Sequence, residues 1–317
     1  MKLITLFLFF VSILFSNSVV MPSKTYSTSG SVTDLITDNN LLYVATDSGC
    51  VDILELKTQK SVNKICVPQI VDFIGDKVAS KIYSVDRVDS KMLILSQTKE
   101  GYRRLHIYEN ETLRLVINYH DNLAIAKAKF VSSNTVLLAL LSNDIILYDI
   151  KNKKQQWNFQ SSLSKFSDFV LNEQKSEVII SDESGELQIH STKDGKHLKT
   201  LSGENLDNVY QVDTKNGVII TAGQDRRCAI YKGYSSYYKK ASFLIYSVGL
   251  SPSGKIGAFA SNEDNDVTLF NTKSKEIMQT YTGSRMSITK IFFLNEKEFL
   301  VSSDDSVINY YKIDKVK

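Results

Sequence analysis

Residues 41–56 read LLYVATDSGCVDILEL: an apolar strand, a tight Asp47-Ser48-Gly49 turn and a second, alternating strand. Five more stretches repeat that grammar: VLLALLSNDIILYDI (136–150), VIISDESGELQIHS (178–191), VIITAGQDRRCAIYK (218–232), IGAFASNEDNDVTLFN (256–271) and FLVSSDDSVINYYKI (299–313). A seventh copy, MLILSQTKEGYRRLHIYE (92–109), has a longer turn. Alternation with period two within each strand marks half-buried β structure.

Working outward from these pairs, the first inward position of the second strand falls at Val51, Leu105, Ile145, Leu187, Cys228, Val267 and Ile308. The spacings are 54, 40, 42, 41, 39 and 41 residues. A period near 40 with about four short strands is the mark of a β-propeller blade. The expected fold is therefore all-β, a single seven-bladed propeller over 22–315. Inner strands are predicted at 81–85, 126–131, 166–171, 209–213, 245–250 and 288–293. Outer strands are predicted at 61–67, 113–118, 155–159, 197–201, 237–243 and 276–281. The last blade runs out of chain before an outer strand. The segment 24–29 (KTYSTS) supplies one, and its pairing with the last blade closes the ring and removes an exposed sheet edge.

The excess in the first spacing places an insertion at 68–81 (PQIVDFIGDKVASK), between the outer strand of blade 1 and the inner strand of blade 2. That connection shares a face with the turns between second and third strands. A loop longer than connection requires is either functional or a covering for the ring mouth. Five of the seven Arg, namely Arg103, Arg104, Arg226, Arg227 and Arg285, fall in predicted loops of the same face, whereas Lys is scattered. Arg pairs with carboxylates and stacks on aromatic rings, so it is enriched at interfaces. These residues, with Asp72, Phe73 and Asp76 of the insertion, form the candidate partner surface, against the alternative of ordinary solvated loops. A second stretch, YKGYSSYYKKASFLIY (231–246), mixes Tyr and Lys, either as a docking edge or because Tyr is a good strand former.

The first eighteen residues differ in kind. Lys2 precedes an apolar run over 3–15, and Ser16-Asn17-Ser18 offers the small residues of a cleavage site. In a helix that run spans roughly 20 Å against about 30 Å for a bilayer core, so 1–18 reads as a secretory signal peptide and the alternative is an uncleaved anchor. No Cys ends the run, which argues against a lipid anchor. The mature chain is expected to be periplasmic, monomeric and without a membrane span. A formal charge of +3 on 317 residues carries no footprint for nucleic acid.

Chemistry-bearing motifs are sparse. The four His (106, 120, 190 and 197) have no metal-ligand spacing, and neither a phosphate loop nor a nucleophile elbow occurs. Acidic residues recur in the turns at Asp47, Asp182, Glu183, Asp225, Asp264, Asp266, Asp304 and Asp305, where Asp stabilises tight turns through backbone N–H groups. No catalytic residue, metal ligand or cofactor is expected. Cys50 and Cys66 lie nearly opposite across a hairpin. A bridge there closes about 17 residues and is worth on the order of 3 kcal/mol. Directly opposed Cβ atoms sit slightly too far apart for an ideal bridge, so bridged and unbridged forms both stay open. Cys228 holds a core-facing repeat position.

The repeat resembles the WD40 family in degenerate form. Tyr148-Asp149 and Leu269-Phe270 stand where its Trp-Asp pair would, and Ser202-Gly203 and Thr282-Gly283 where its Gly-His would. The family's His/Asp hydrogen-bond network is thereby in doubt, but the fold is not. Within that family, 72–86 (DFIGDKVASKIYSVD) and 101–110 (GYRRLHIYEN) look like the non-repeat portion of the L accessory proteins of periplasmic nitrate-reductase clusters. The resemblance implies a non-catalytic, protein-binding scaffold, with nitrate-reductase components as partners. The rival is a propeller enzyme or small-ligand binder of the lactonase or quinone-cofactor type, which needs a convergent polar site or a Trp-rich stack. One Trp, Trp157, and unclustered His argue against it.

Overall fold

The computed structural model describes residues 19–314; the expected signal peptide, 1–18, lies outside them, as do 315–317. Seven antiparallel sheets follow one another around a ring: blade 1 over 32–66, blade 2 over 82–117, blade 3 over 125–160, blade 4 over 166–201, blade 5 over 209–240, blade 6 over 248–281 and blade 7 over 288–312. The first six are meanders running from an inner to an outer strand. Blade 7 takes its fourth strand from Lys24–Ser27, which pairs antiparallel with Val307–Lys312. Val19–Val20 adds a fifth, parallel strand to blade 6 beside Ile277–Tyr281, so the folded unit begins earlier than residue 22.

The core lies between blades. All seven register residues are at most 1% exposed, from Val51 to Ile308. The apolar clusters join neighbouring sheets, as where Leu105 and Ile107 of blade 2 pack with Phe130 and Val136 of blade 3. Six of the seven inner strands carry a one-residue bulge directly after their first residue, at Thr33, Tyr83, Ala126, Ser167, Tyr210 and Thr289. A bulge bends the strand and re-aims its side chains. The next residues are Asp34, Ser84, Lys127, Asp168, Gln211 and Lys290, all polar, and apolar burial resumes one residue later.

Those polar residues join the blades. Val85 N–H donates to Asp34 Oδ2 (3.1 Å), Ala128 N–H to Ser84 Oγ (3.3 Å), Val212 N–H to Asp168 Oδ2 (3.1 Å) and Val248 N–H to Gln211 Oε1 (3.0 Å). Two residues further along, Asp86 accepts from Phe130 N–H and Asp213 from Leu250 N–H. An inter-blade network is thus present, made by inner-strand side chains that reach the backbone of the next blade.

Two boundaries differ from expectation. The outer strand of blade 5 is Ser235–Lys240, because Gly233 with φ of 59° lets the chain reverse immediately after Lys232. The inner strand of blade 6 shortens to Val248–Leu250.

Candidate functional site

A meander places its second-to-third turn and its exit from the outer strand at one end, and its other two turns at the opposite end. Contacts bear this out. Asn143 Nδ2 donates to the Ser164 carbonyl (3.2 Å) and Asn205 Nδ2 to Asp225 Oδ1 (3.2 Å), tying second-to-third turns to inter-blade connections. At the other end, Leu56 N–H donates to the Asn40 carbonyl and Ile150 N–H to that of Asn134.

The two faces have opposite chemistry. On the first, each of four successive inter-blade connections exposes an apolar side chain just before the inner strand: Leu163 (94% exposed), Leu206 (66%), Tyr246 (37%) and Met286 (49%). The turns beside them are acidic, with Glu183 and Glu186, Asp225, Glu263 and Asp264, and Asp304 and Asp305. On the second face the third-to-outer turns read KTQK (57–60), KNKK (151–154), KDGK (193–196) and KSK (273–275), with their Lys exposed. Among the described residues, Tyr234 is the one large apolar side chain standing out from those turns. The small formal charge conceals this polarity.

The insertion folds as a short hairpin, Ile70–Val71 against Lys77–Val78, rather than as a loop. Asp72 Oδ1 accepts from Ile74 N–H (3.0 Å) and Asp76 N–H (2.9 Å), fixing the tip. This leaves Phe73 97% and Ile74 69% exposed on the acidic, apolar face, with Asp76 beside them.

The Arg residues share this face but do not define its charge. Arg103, Arg104 and Arg227 open third strands rather than lying in loops, and are half-buried. Arg103 stacks 3.9 Å from the centroid of the Tyr83 ring, Arg104 donates to the Pro68 carbonyl, and Arg227 lies 4.3 Å from the Tyr238 centroid with Asp225 at 3.7 Å. Arg226, at φ of 65°, and Arg285 are exposed. The Tyr-rich stretch divides between places: Tyr231 is buried, Tyr237 donates to the Thr272 carbonyl (2.8 Å), Tyr234 stands on the Lys face and Tyr246 on the acidic one.

Along the ring axis runs a cavity of about 500 Å³ lined by inner-strand residues. Here Asp34 accepts from Lys129 Nζ (2.7 Å) and Lys290 Nζ (2.6 Å), while Lys127 Nζ reaches Asp168 (2.5 Å). Burial pushes the Asp34 carboxyl up, but Lys129, Lys290 and Lys127 outweigh it and hold the group well below the usual carboxylate range. Burial lowers the Lys290 pKa, opposed by Asp34, whereas at Lys129 burial is outweighed by Asp34 and Asp86 and the pKa rises. The lining acids and lysines are matched, so the cavity is a braced hub.

The turn acids act on the backbone. Asp182 Oδ1 accepts from Ser184 N–H (2.8 Å), Asp225 Oδ1 from Arg227 N–H (3.0 Å) and Asp47 Oδ1 from Ser31 N–H (2.8 Å). Among the described residues no group of three His, Cys, Asp or Glu is placed to hold a metal ion. His106 and His190 are buried strand residues; His120 and His197 are exposed. Cys50 and Cys66 are direct cross-strand partners joined in a disulfide, with Cα atoms 4.0 Å apart, and Cys228 is fully buried. Sequence reasoning missed Leu163, Leu206 and Met286, and reached Tyr246 only as part of the Tyr-rich stretch; their signal was an apolar residue recurring where a turn should be polar.

No family model matches the chain, and no curated protein does. Its shape is shared by 1841 chains of solved structures. One, from "Crystal Structure of Mitotic Checkpoint Complex", superposes with a TM-score of 0.75 at 12% identity, covering 99% of each chain. At that identity the likeness defines the fold, a seven-bladed β-propeller, and nothing narrower.

Proposed function

We propose that this chain is an exported, non-catalytic propeller that holds another protein on its acidic, apolar face. The observation that carries the reading is one-sidedness: Phe73, Leu163, Leu206 and Met286 are exposed together on one face of the ring. Exposed apolar side chains gathered on one face and rimmed by polar residues suit an interaction site, and a rigid ring holds such loops in fixed register. The paired charges of the axial cavity favour bracing over catalysis. Export is supported by the leader-like residues 2–18 and by the Cys50–Cys66 disulfide, which suits an oxidising compartment. A role beside a periplasmic nitrate reductase rests on the sequence resemblance at 72–86 and 101–110.

The test is crosslinking in the native compartment, with a photo-reactive residue in place of Leu206 or of Lys193 on the opposite face. A partner captured from position 206 and not from 193 is the expected result, and nitrate-reductase subunits in that adduct establish the narrower role. Capture from 193 alone, or from neither, overturns the choice of face.

A further inference from the structure

We infer that the occupant of this face is a cationic, amphipathic polypeptide segment, its apolar side chains on Leu163, Leu206, Tyr246 and Met286 and its basic ones over the acidic turns between them. This rests on the reading that the face holds a protein, and it specifies that protein's chemistry.

The four apolar residues occupy the consecutive connections from blade 3 to blade 7, so they form one arc rather than scattered points. All four directly precede inner strands, and the Tyr246 ring stacks on Tyr210 of an inner strand at 5.3 Å, which places the arc toward the ring mouth. Carboxylates alternate with it: Glu186, Asp207, Glu263, Asp264 and Asp304 are all exposed. The cations within the arc are Lys165, Arg226, Arg227, Lys240 and Arg285, of which Lys165 lies 3.9 Å from Glu183 and Arg227 3.7 Å from Asp225; counting Glu183, Asp225 and Asp305 with the five acids above, eight carboxylates face these five cations. The balance is negative.

Charge complementarity then selects the occupant. Apolar contact alone accepts any greasy partner, whereas an acid excess around it repels acidic surfaces and attracts basic ones. The same field disfavours an anionic membrane surface or a nucleic acid, whose charge has the wrong sign for this face. A polypeptide with Lys or Arg flanking Leu- or Phe-like residues meets both requirements. Phe73 and Ile74, on the hairpin between blades 1 and 2, add exposed apolar side chains to the same face.

The test uses the mature chain and two labelled probes, a Lys/Leu amphipathic peptide and its Glu/Leu counterpart, with binding followed by fluorescence anisotropy. The Lys/Leu peptide is expected to bind at least about tenfold more tightly, and less so as salt rises. Glu263→Lys with Asp264→Lys, and separately Leu163→Ser with Leu206→Ser, should each weaken it by about tenfold, while Lys193→Glu with Lys273→Glu should not. Thermal melting certifies each fold, and Glu186→Lys alone repeats the comparison if a double variant is unstable. Equal affinity for the two probes, or undiminished binding after charge reversal, overturns the inference. The crosslinking result separates the two levels. A partner caught at position 206 with no preference for the basic probe refutes the chemistry and leaves this face standing as the docking surface; no partner at 206 refutes the choice of face itself.

Discussion

Lys290, on the inner strand of blade 7, donates to the Asp34 carboxylate of blade 1 at 2.6 Å and also to the Leu35 carbonyl at 3.0 Å. Lys129 of blade 3 takes the other carboxylate oxygen. With the Val85 N–H of blade 2, one acid therefore ties four consecutive blades, independently of the strand that closes the rim.

Asp34→Ala removes the carboxylate that Lys129 and Lys290 share. Removing one partner of a buried ionic group costs about 3–5 kcal/mol, and the low end is expected because the lysine side chains keep 15% and 24% exposure. Urea unfolding midpoints measure it. The pH sign follows from the depressed carboxyl: its stabilisation is complete above the unfolded value of about 4 and is lost as pH falls toward the lower folded value. The variant should lack that acid-side loss.

Tyr26 sits on the closing strand, fully buried, and its hydroxyl donates to the Leu56 carbonyl of blade 1 at 2.8 Å. Burial pushes this phenol up to about 12. Tyr26→Ala is expected to cost about 3–5 kcal/mol, and Tyr26→Phe about 1 kcal/mol, read as loss of thermal stability by calorimetry.

Cys50→Ala with Cys66→Ala should cost about 2–3 kcal/mol by the chain-entropy account, leaving the fold and the acidic face intact. Melting with and without reductant checks this: reductant should lower the stability of the parent chain and leave the variant unmoved.

Burial, aided by Arg104, pushes the His106 imidazole down to about 4. The folded chain therefore binds fewer protons there than the unfolded chain between about pH 6.5 and 4. Stability is complete above the unfolded value and is lost as pH falls through that window, by on the order of 3 kcal/mol. His106→Leu should flatten this part of the stability–pH curve.

The ring was legible because its second and third strands alternate cleanly, as from Leu187 to Ile189, and because the register repeats near 40 residues. Closure by the segment at Lys24–Ser27 was legible too, since the last repeat lacked a partner. The polar axis was hidden. Six of the seven inner strands bury residues three apart, such as Val32 and Leu35, Phe166 and Phe169, or Ile288 and Ile291, because a bulge takes up the extra residue. That spacing does not announce a strand, so Asp34, Lys127 and Lys290 drew no attention. The face was half legible. Arg residues pointed to the same end of the ring as the proposed face, for a reason that fails locally: Arg103 and Arg227 spend their charge on internal carbonyls and rings. The sum of charges averaged an acidic end against a basic one.

Lys24–Ser27 pairs with Val307–Lys312, so the final sheet joins an early part of the chain to a late one. Synthesis is directional, and the closing strand exists long before its partner does. Until then it has no sheet to join, and blades already made cannot seal the circle. Loss of either end, by premature termination or by a protease, leaves the same open rim and the same unpaired edge. Ring closure thus reports that both paired segments are present, and a copy lacking one shows the kind of exposed edge that cellular quality control removes.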